Sequence, residues 1–235
     1  MNQFKQPNNP FSAAQTRPTT GTSAIATNKV LRNTYLLLSM TLIFSSITAG
    51  VAMAMNATFV NIWLALAVII GFPFLLNKMR NSPMAIVLAF AYTGFLGWYI
   101  GPVLNMYIKS FSNGSELIMM ALGSTGLIFL ILSSIALKPS RNFSHWGRFL
   151  FIGISVAFVA MLVNVFFLHL PMLQLGISVV FAFISGGYIM YMTNSIIHGG
   201  ETNYIVATVV IFVSLMNIFL TLLQVFALFG GSSRN

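Results

Sequence analysis

The sequence predicts an all-α membrane protein with seven transmembrane helices. Of its 235 residues, 57% are hydrophobic and only 6% are charged, whereas about 25% charge is usual in a soluble domain. The mean hydropathy is +0.89. Seven apolar stretches without charged residues each have about the 17 to 25 residues that cross a bilayer as a helix. The period-two alternation that is typical of a membrane β-barrel is not evident.

A polar segment, residues 1–33, precedes the first apolar stretch. It is rich in Asn, Gln, Pro, Thr and Ser and contains no acidic residue. Because it shows neither helical nor strand periodicity, we expect a disordered tail. A cleaved export signal would place a short apolar run directly behind a basic start, so we expect the first helix to remain in the mature protein. The transmembrane domain is then 34–229, followed by a short C-terminal tail, 230–235.

The predicted helices are separated by short breaks that carry Asn, Gly and Pro, as turns do. In chain order the helices cover residues 34–55, 59–76, 84–104, 117–137, 149–168, 172–192 and 204–229. The two shortest breaks, 56–58 and 169–171, predict tight hairpins.

The Lys and Arg residues predict the orientation of the seven helices. If the N-terminus lies inside, only Lys109 and Arg234 lie in outer segments. The other nine cations lie in inner segments: Lys5, Arg17, Lys29, Arg32, Lys78, Arg80, Lys138, Arg141 and Arg148. Basic residues accumulate in cytoplasmic loops of membrane proteins. We therefore expect a cytoplasmic N-terminus and a C-terminus on the outer side.

The composition argues against an enzyme and against nucleic-acid binding. There is no cysteine, so disulfides and thiolate chemistry are excluded. Ser124, in the run Gly123-Ser-Thr-Gly126 of the fourth helix, would need a base to act as a nucleophile. The three histidines fall at helix ends or in loops, and the apolar stretches hold no carboxylate. The cations are scattered rather than clustered, and no cofactor is expected.

Three glycines of the third helix lie at spacings of three and four: Gly94, Gly97 and Gly101. Small residues on one face allow a neighbouring backbone to approach closely. Pro102 follows directly, and because proline lacks an N–H we expect it to disrupt the helix near its outer end. The pattern leaves two interpretations, a helix-packing face and a helix break that lines a solute path.

A polar stripe runs along the seventh helix through Ser214, Asn217, Thr221 and Gln224, at positions i, i+3, i+7 and i+10. Ser214 lies about 15 Å from the start of this helix, near the middle of a core roughly 30 Å thick. The stripe therefore predicts a helix that faces protein rather than lipid. It is compatible with interhelical hydrogen bonds or with a hydrated cavity.

The break between the last two helices, His198-Gly-Gly-Glu201-Thr202-Asn203, lies on the predicted inner side, as does His145. Two imidazoles and a carboxylate could bind a divalent metal. A loop with two glycines is a poorly preorganised site, however. We expect no metal here, and a loop in which Thr202 or Asn203 caps the last helix.

Several motifs together resemble the Bax inhibitor-1 (transmembrane Bax inhibitor motif) family, and most closely its bacterial YccA-like branch. They are KVLRNTY at 29–35, AYTGFLG at 91–97, GPVLN at 101–105, which ends at Asn105, IHGGETNY at 197–204 and VSLMNIF at 213–219. The resemblance implies a seven-helix fold in which the last helix is surrounded by the other six. It also implies a location in the bacterial inner membrane.

The same resemblance implies a role in membrane-protein quality control, through association with the membrane-bound ATP-dependent AAA protease FtsH. The alternative that it implies is a calcium leak. Calcium-leak members carry aspartates where this chain has Met192 and Ser214, and without them a proton-switched calcium gate lacks its titrating groups. The expected partners are therefore the lipid bilayer and the protease, with calcium as the alternative.

Overall fold

Seven α-helices make up the part of the chain that the computed structural model describes, which comprises residues 28–138, 142–143 and 145–232. They are α1 (Lys29–Ala54), α2 (Ile62–Lys78), α3 (Met84–Ser110), α4 (Gly114–Ala136), α5 (Trp146–Val163), α6 (Pro171–Ile197) and α7 (Tyr204–Gly230). One π-helical turn, Asn164–Leu168, extends α5. The number and order of these helices agree with the sequence prediction.

Helix α1 begins five residues earlier than predicted. The side chain of Asn28 accepts a hydrogen bond from the backbone N–H of Leu31 at 3.1 Å and so caps the first turn. Residues 29–33 are therefore helical, and their assignment to the tail was wrong. The rest of the predicted tail, 1–27, lies outside the described residues.

Helix α3 continues through Pro102 to Ser110, so the predicted disruption at the proline was wrong. Helix α6 likewise runs five residues past its predicted end, to Ile197. The added turns contain polar residues such as Lys109 and Asn194, at which an apolar-stretch criterion stops. They remain helical because hydrogen bonds to neighbouring elements satisfy these side chains, as described below.

The first predicted hairpin is wider than expected, because α2 begins only at Ile62. The second is tight. At its centre Asn164, only 3% exposed, accepts from the Leu170 N–H at 3.1 Å and donates to the Leu170 carbonyl at 3.2 Å and to Gln174 Oε1 at 3.1 Å. His169 adopts the left-handed conformation that closes the turn, with a φ of 53°.

Six of the described helices are long and apolar enough to cross a membrane, and α2, with 17 residues, is shorter. At 1.5 Å per residue α2 is about 25 Å long. Near its start, Trp63 stacks on Phe166 at a ring-centroid distance of 5.2 Å. Just after its end, Arg80 pairs with Glu201. The two ends of α2 therefore lie toward opposite faces of the bundle.

Hydrogen bonds between chain segments define these two faces. At the N-terminal face, Asn28 Nδ2 donates to the Ile196 carbonyl at 3.3 Å, which joins the start of α1 to the end of α6. At the C-terminal face, Asn113 Nδ2 donates to the Gly230 carbonyl at 2.8 Å, which joins the start of α4 to the end of α7. The helical domain therefore begins on one face and ends on the other.

Helix α7 is the most buried of the six long helices. In its most apolar stretch 61% of the residues are buried, compared with 44% for α3 and less for the other four. It packs against α1, α3, α4 and α6. The protein-facing environment predicted from its polar stripe agrees with this burial.

Candidate functional site

The glycine face of α3 packs directly on α1. A Cβ atom at Gly97 would meet the Ser45 carbonyl and the Thr48 hydroxyl, and one at Gly101 would lie 2.5 Å from the Ala52 Cβ. Gly94 is similarly close to the ring of Phe44. Gly97 and Gly101 can hold only glycine while the two backbones stay at this separation, whereas a side chain at Gly94 would require the Phe44 ring to move.

The end of α3 is fastened to the turn that follows α1. Asn105 Nδ2 donates to the Met53 carbonyl at 2.9 Å, and Lys109 Nζ donates to Asn56 Oδ1 at 2.8 Å. Asn56 itself is left-handed, with a φ of 48°. Pro102 is buried in the same turn region of α3, and Gly94, Gly97, Gly101 and Asn105 all contact α1.

The polar stripe of α7 faces α6. The Thr221 hydroxyl donates to the Ser178 carbonyl at 2.8 Å, and Asn217 Nδ2 donates to Ser185 Oγ at 3.2 Å. Ser214 is 4% exposed, and its hydroxyl donates to the Val210 carbonyl of its own helix at 2.8 Å. Two members of the stripe, Asn217 and Thr221, thus make the hydrogen bonds expected of polar groups between packed helices.

The fourth member, Gln224, lies near the C-terminal face beside a cavity of about 640 Å³ between α3, α6 and α7. Tyr107, Ser110 and Gln174 contribute the other polar side chains of its lining. Gln224 is the member of the stripe that lines this cavity.

Met192 and Ser214, the two positions where the resemblance places aspartates in other members, are both buried, at 7% and 4% exposure. Met192 is part of the main apolar core, together with Ile189 and Ile211. The adjacent Thr193 hydroxyl lies 3.4 Å from the Tyr35 hydroxyl of α1. The neighbourhood of Met192 therefore offers neutral groups rather than a carboxylate pair.

A polar cluster joins two loops at the N-terminal face. Arg80 Nη2 lies 2.6 Å from Glu201 Oε1, which also accepts from the Asn203 N–H at 2.8 Å. Asn203 Nδ2 donates to the Arg80 carbonyl at 2.6 Å, and its Oδ1 caps α7 by accepting from the N–H groups of Ile205 and Val206. Of the two predicted caps, Asn203 is the one observed.

His198 is not drawn into that cluster. Its Nδ1 lies 2.9 Å from the Asn194 carbonyl, one turn back in α6. Within the described ranges, no three His, Cys, Asp or Glu side chains come together as a metal site. The carboxylate of Glu201 is instead engaged by a guanidinium.

Sequence reasoning missed Arg80, Asn164 and Asn194 as structural residues. Asn194 is 1% exposed; its Oδ1 accepts from the Phe143 N–H at 2.9 Å, and its Nδ2 donates to the Ala136 carbonyl at 3.2 Å. It therefore ties the α4–α5 connection to α6. A signal was present, because an Asn within or beside an apolar stretch needs a hydrogen-bonding partner once it is buried.

The length of the helices and their exposed apolar side chains define a polytopic α-helical membrane protein. On the surface of the bundle, Phe74, Phe149 and Phe183 are each more than 70% exposed. Its polar side chains serve helix contacts and loop contacts. The family described as "Inhibitor of apoptosis-promoting Bax1" matches residues 27–231. The chain belongs to this family.

Within this family, the chain is similar to several bacterial membrane proteins. The chain is 47% identical, over 91% of its length and 95% of the relative's, to the protein of Escherichia coli (strain K12) named "Modulator of FtsH protease YccA". The same identity and coverage hold for "Inner membrane protein YccA" of a second Escherichia coli strain. An "Uncharacterized membrane protein" of Vibrio cholerae is 38% identical over 92% of this chain and 97% of its own length.

Proposed function

We propose that this chain is an inner-membrane modulator of an FtsH-type ATP-dependent protease, and that it acts by binding rather than by catalysis. The observation that carries the proposal is the 47% identity to a protein named as a modulator of FtsH, along 95% of that relative. The similarity covers 91% of this chain, and the family match over residues 27–231 includes all seven helices.

The orientation that fits this role places the N-terminal face in the cytoplasm and the end of α7 outside. The N-terminal face carries Lys78, Arg80, Lys138 and Arg148, as expected of a cytoplasmic face. We also place α7 at the centre of the bundle, surrounded by the other six helices. Its burial and its four packed neighbours support this arrangement.

Residues 1–27 would then precede α1 on the side of the membrane where ATP is available. Their sequence is polar and lacks acidic residues. Such a segment is where an ATP-driven unfoldase can begin to pull. The tightly packed bundle behind it would resist extraction, so that the chain occupies the protease.

The test is the turnover of an unassembled membrane-protein substrate of FtsH in Escherichia coli cells that lack their own YccA. Expression of this chain should lengthen the half-life of the substrate, and photo-crosslinking in intact membranes should join the two proteins. A matched strain expressing an unrelated seven-helix protein at the same level controls for membrane load. An unchanged half-life together with no crosslink would contradict the proposal.

A cation leak along α7 is the second candidate. The observation in its favour is the cavity of about 640 Å³ that Gln224 and Gln174 line near the C-terminal face. Against it, Met192 and Ser214 replace the acidic pair, and both are buried among neutral groups. In proteoliposomes we expect calcium flux to be small and nearly constant between about pH 6 and 8, the range in which histidine titrates. A large, steeply pH-dependent flux would favour the leak over the modulator.

A further inference from the structure

A groove of about 820 Å³ lies between α4 and α5, and α6 and α7 form its floor. Both α4 and α5 pack against α6. The floor includes three small residues, Ala182, Gly186 and Gly187. Leu132 of α4 packs on Gly186 and Leu150 of α5 packs on Gly187, so the side walls come close to the floor at these two positions. Two exposed aromatic rings border the groove, Phe149 of α5 and Phe183 of α6, whose side chains are 75% and 79% exposed.

The groove is almost entirely apolar along its length. Its polar lining consists of His145 at one end and Thr221, whose hydroxyl already donates to the Ser178 carbonyl. Such a surface offers an occupant burial of hydrocarbon but no hydrogen bond inside the groove.

The length of the groove suits one membrane leaflet. Along α6 its lining extends from Val179 to Met190, which is about 16 Å at 1.5 Å per residue. Half of a hydrocarbon core roughly 30 Å thick is about 15 Å. A transmembrane helix of a partner would need a groove about twice as long, whereas an acyl chain of one leaflet fits.

The end of the groove at the N-terminal face is cationic. His145 and Trp146 line it, and exposed Lys138 and Arg148 lie at the ends of α4 and α5 on either side. The connecting sequence 138–148 contains three Lys and Arg residues and no Asp or Glu. Basic residues at this depth attract anionic headgroups, each by about 1 kcal/mol.

From the shape, the length and this charge, we infer that the groove is a binding site for one anionic glycerophospholipid of the leaflet at the N-terminal face. An acyl chain lies between α4 and α5 over the floor of Ala182, Gly186 and Gly187. The phosphate lies at the rim, within reach of Lys138 and Arg148. This site is separate from the Arg80–Glu201 cluster, it meets the polar stripe of α7 only at Thr221, and it does not depend on the protease.

Trp146 provides the readout, since it lines the groove and is one of three tryptophans in the chain. In a Trp63→Phe, Trp98→Phe background it is the only tryptophan. The protein is reconstituted into phosphatidylcholine vesicles with increasing amounts of phosphatidylglycerol whose acyl chains are brominated. Quenching of Trp146 should be half-maximal at a mole fraction about thirtyfold lower than with brominated phosphatidylcholine, the ratio that two cations at about 1 kcal/mol each provide.

Two pairs of variants locate the site. Ala182→Phe fills the floor and should abolish the preference for phosphatidylglycerol, whereas Val87→Phe, at an exposed position of α3 outside the groove, should retain it. Lys138→Gln with Arg148→Gln should reduce the preference, whereas Lys78→Gln removes an exposed cation of the same face and should leave it unchanged. Circular dichroism checks that each variant is folded.

Half-maximal quenching at the same mole fraction of the two lipids would overturn the inference, as would a preference that survives Ala182→Phe in a folded protein. Either result would mean that Trp146 is quenched only by non-specific lipid around the protein. Absence of quenching by either lipid would also overturn it, since the groove would then be closed to lipid, as by a second protein.

Discussion

Arg80 Nη2 and Glu201 Oε1 lie 2.6 Å apart, although 121 positions separate the two residues in the chain. Their side chains are 33% and 16% exposed, and the pair joins the α2–α3 loop to the α6–α7 loop. Glu201 also holds the N–H of Asn203, the residue that caps α7. One carboxylate thus fixes both the position of α2 and the start of α7.

Replacing Glu201 with Gln should destabilise the bundle by about 1 kcal/mol, because a charge-assisted contact becomes a neutral one at a partly exposed site. The matched control is Glu116→Gln, which removes the chain's other carboxylate at an exposed position of the first turn of α4. Thermal unfolding in detergent measures both. An equal effect of the two substitutions would contradict the role assigned to the ion pair.

Gly97→Ala should be strongly unfavourable, because the new methyl group would collide with the Ser45 carbonyl and the Thr48 hydroxyl. We expect a loss of about 1 to 3 kcal/mol as α1 and α3 separate. Gly50→Ala on α1 meets nothing within 4 Å and should be neutral or stabilising by up to about 1 kcal/mol. Thermal unfolding midpoints in detergent decide the comparison, and similar midpoints for the two variants would refute the packing interpretation.

Thr221→Val keeps the shape of the side chain but removes the hydroxyl that donates to the Ser178 carbonyl. Interhelical hydrogen bonds in membranes average about 0.6 kcal/mol, so a small but measurable loss of stability is expected. Ser155→Ala serves as the control, because that exposed hydroxyl bonds only within its own turn, to the Phe151 carbonyl at 2.8 Å. A Thr221→Val protein as stable as the parent would show that the stripe does not hold α6 and α7 together.

Removal of residues 1–27 should leave the seven helices intact, provided that Asn28 is kept to cap α1 and to bond the Ile196 carbonyl. If the protease begins to unfold and degrade the chain at this segment, the shortened chain should persist longer in cells than the full chain. Pulse-chase labelling measures both lifetimes, and Asn28→Ala in the full chain controls for loosening of α1. Equal lifetimes for the full and shortened chains would remove the segment from the mechanism.

The topology proposed for the membrane predicts that a reporter fused after Asn235 lies outside. An alkaline phosphatase fusion at this position should be active, since that enzyme folds only in an oxidising compartment. A fusion in the α2–α3 loop, which lies on the opposite face, should be inactive. The reverse pattern would show that the orientation is the opposite of the one proposed. Two active fusions would place both sites on the same side and would contradict an odd number of membrane crossings between them.

The sequence predicted the helices well because lipid demands a signal that needs no tertiary information, a run of apolar residues of fixed length. It failed at the helix ends. Lys29, Lys109 and Asn194 are polar, yet they are helical. Asn28 caps the turn that contains Lys29, and hydrogen bonds to neighbouring segments satisfy the side chains of Lys109 and Asn194. The predicted break at Pro102 failed for a related reason, since surrounding helices support a proline within a transmembrane helix.

The candidate residues lie within the helices that the sequence predicted for them, but their partners could not be deduced. The stripe on α7 was evident from its spacing, whereas the fact that it faces Ser178 and Ser185 depends on the rotation of α6. The pairing of Arg80 with Glu201 joins loops distant in sequence. The groove between α4 and α5 is formed by four helices together, and no local sequence pattern predicts it.

The central claim is that this chain occupies an FtsH-type protease, and degradation by the purified protease in proteoliposomes tests it most directly. The protease is reconstituted with a fixed amount of a membrane-protein substrate, and this chain is added in increasing molar ratio. The account predicts that the initial rate of substrate degradation falls and saturates as the added chain reaches a stoichiometric ratio, while ATP hydrolysis continues. A degradation rate that does not change at any ratio would contradict it.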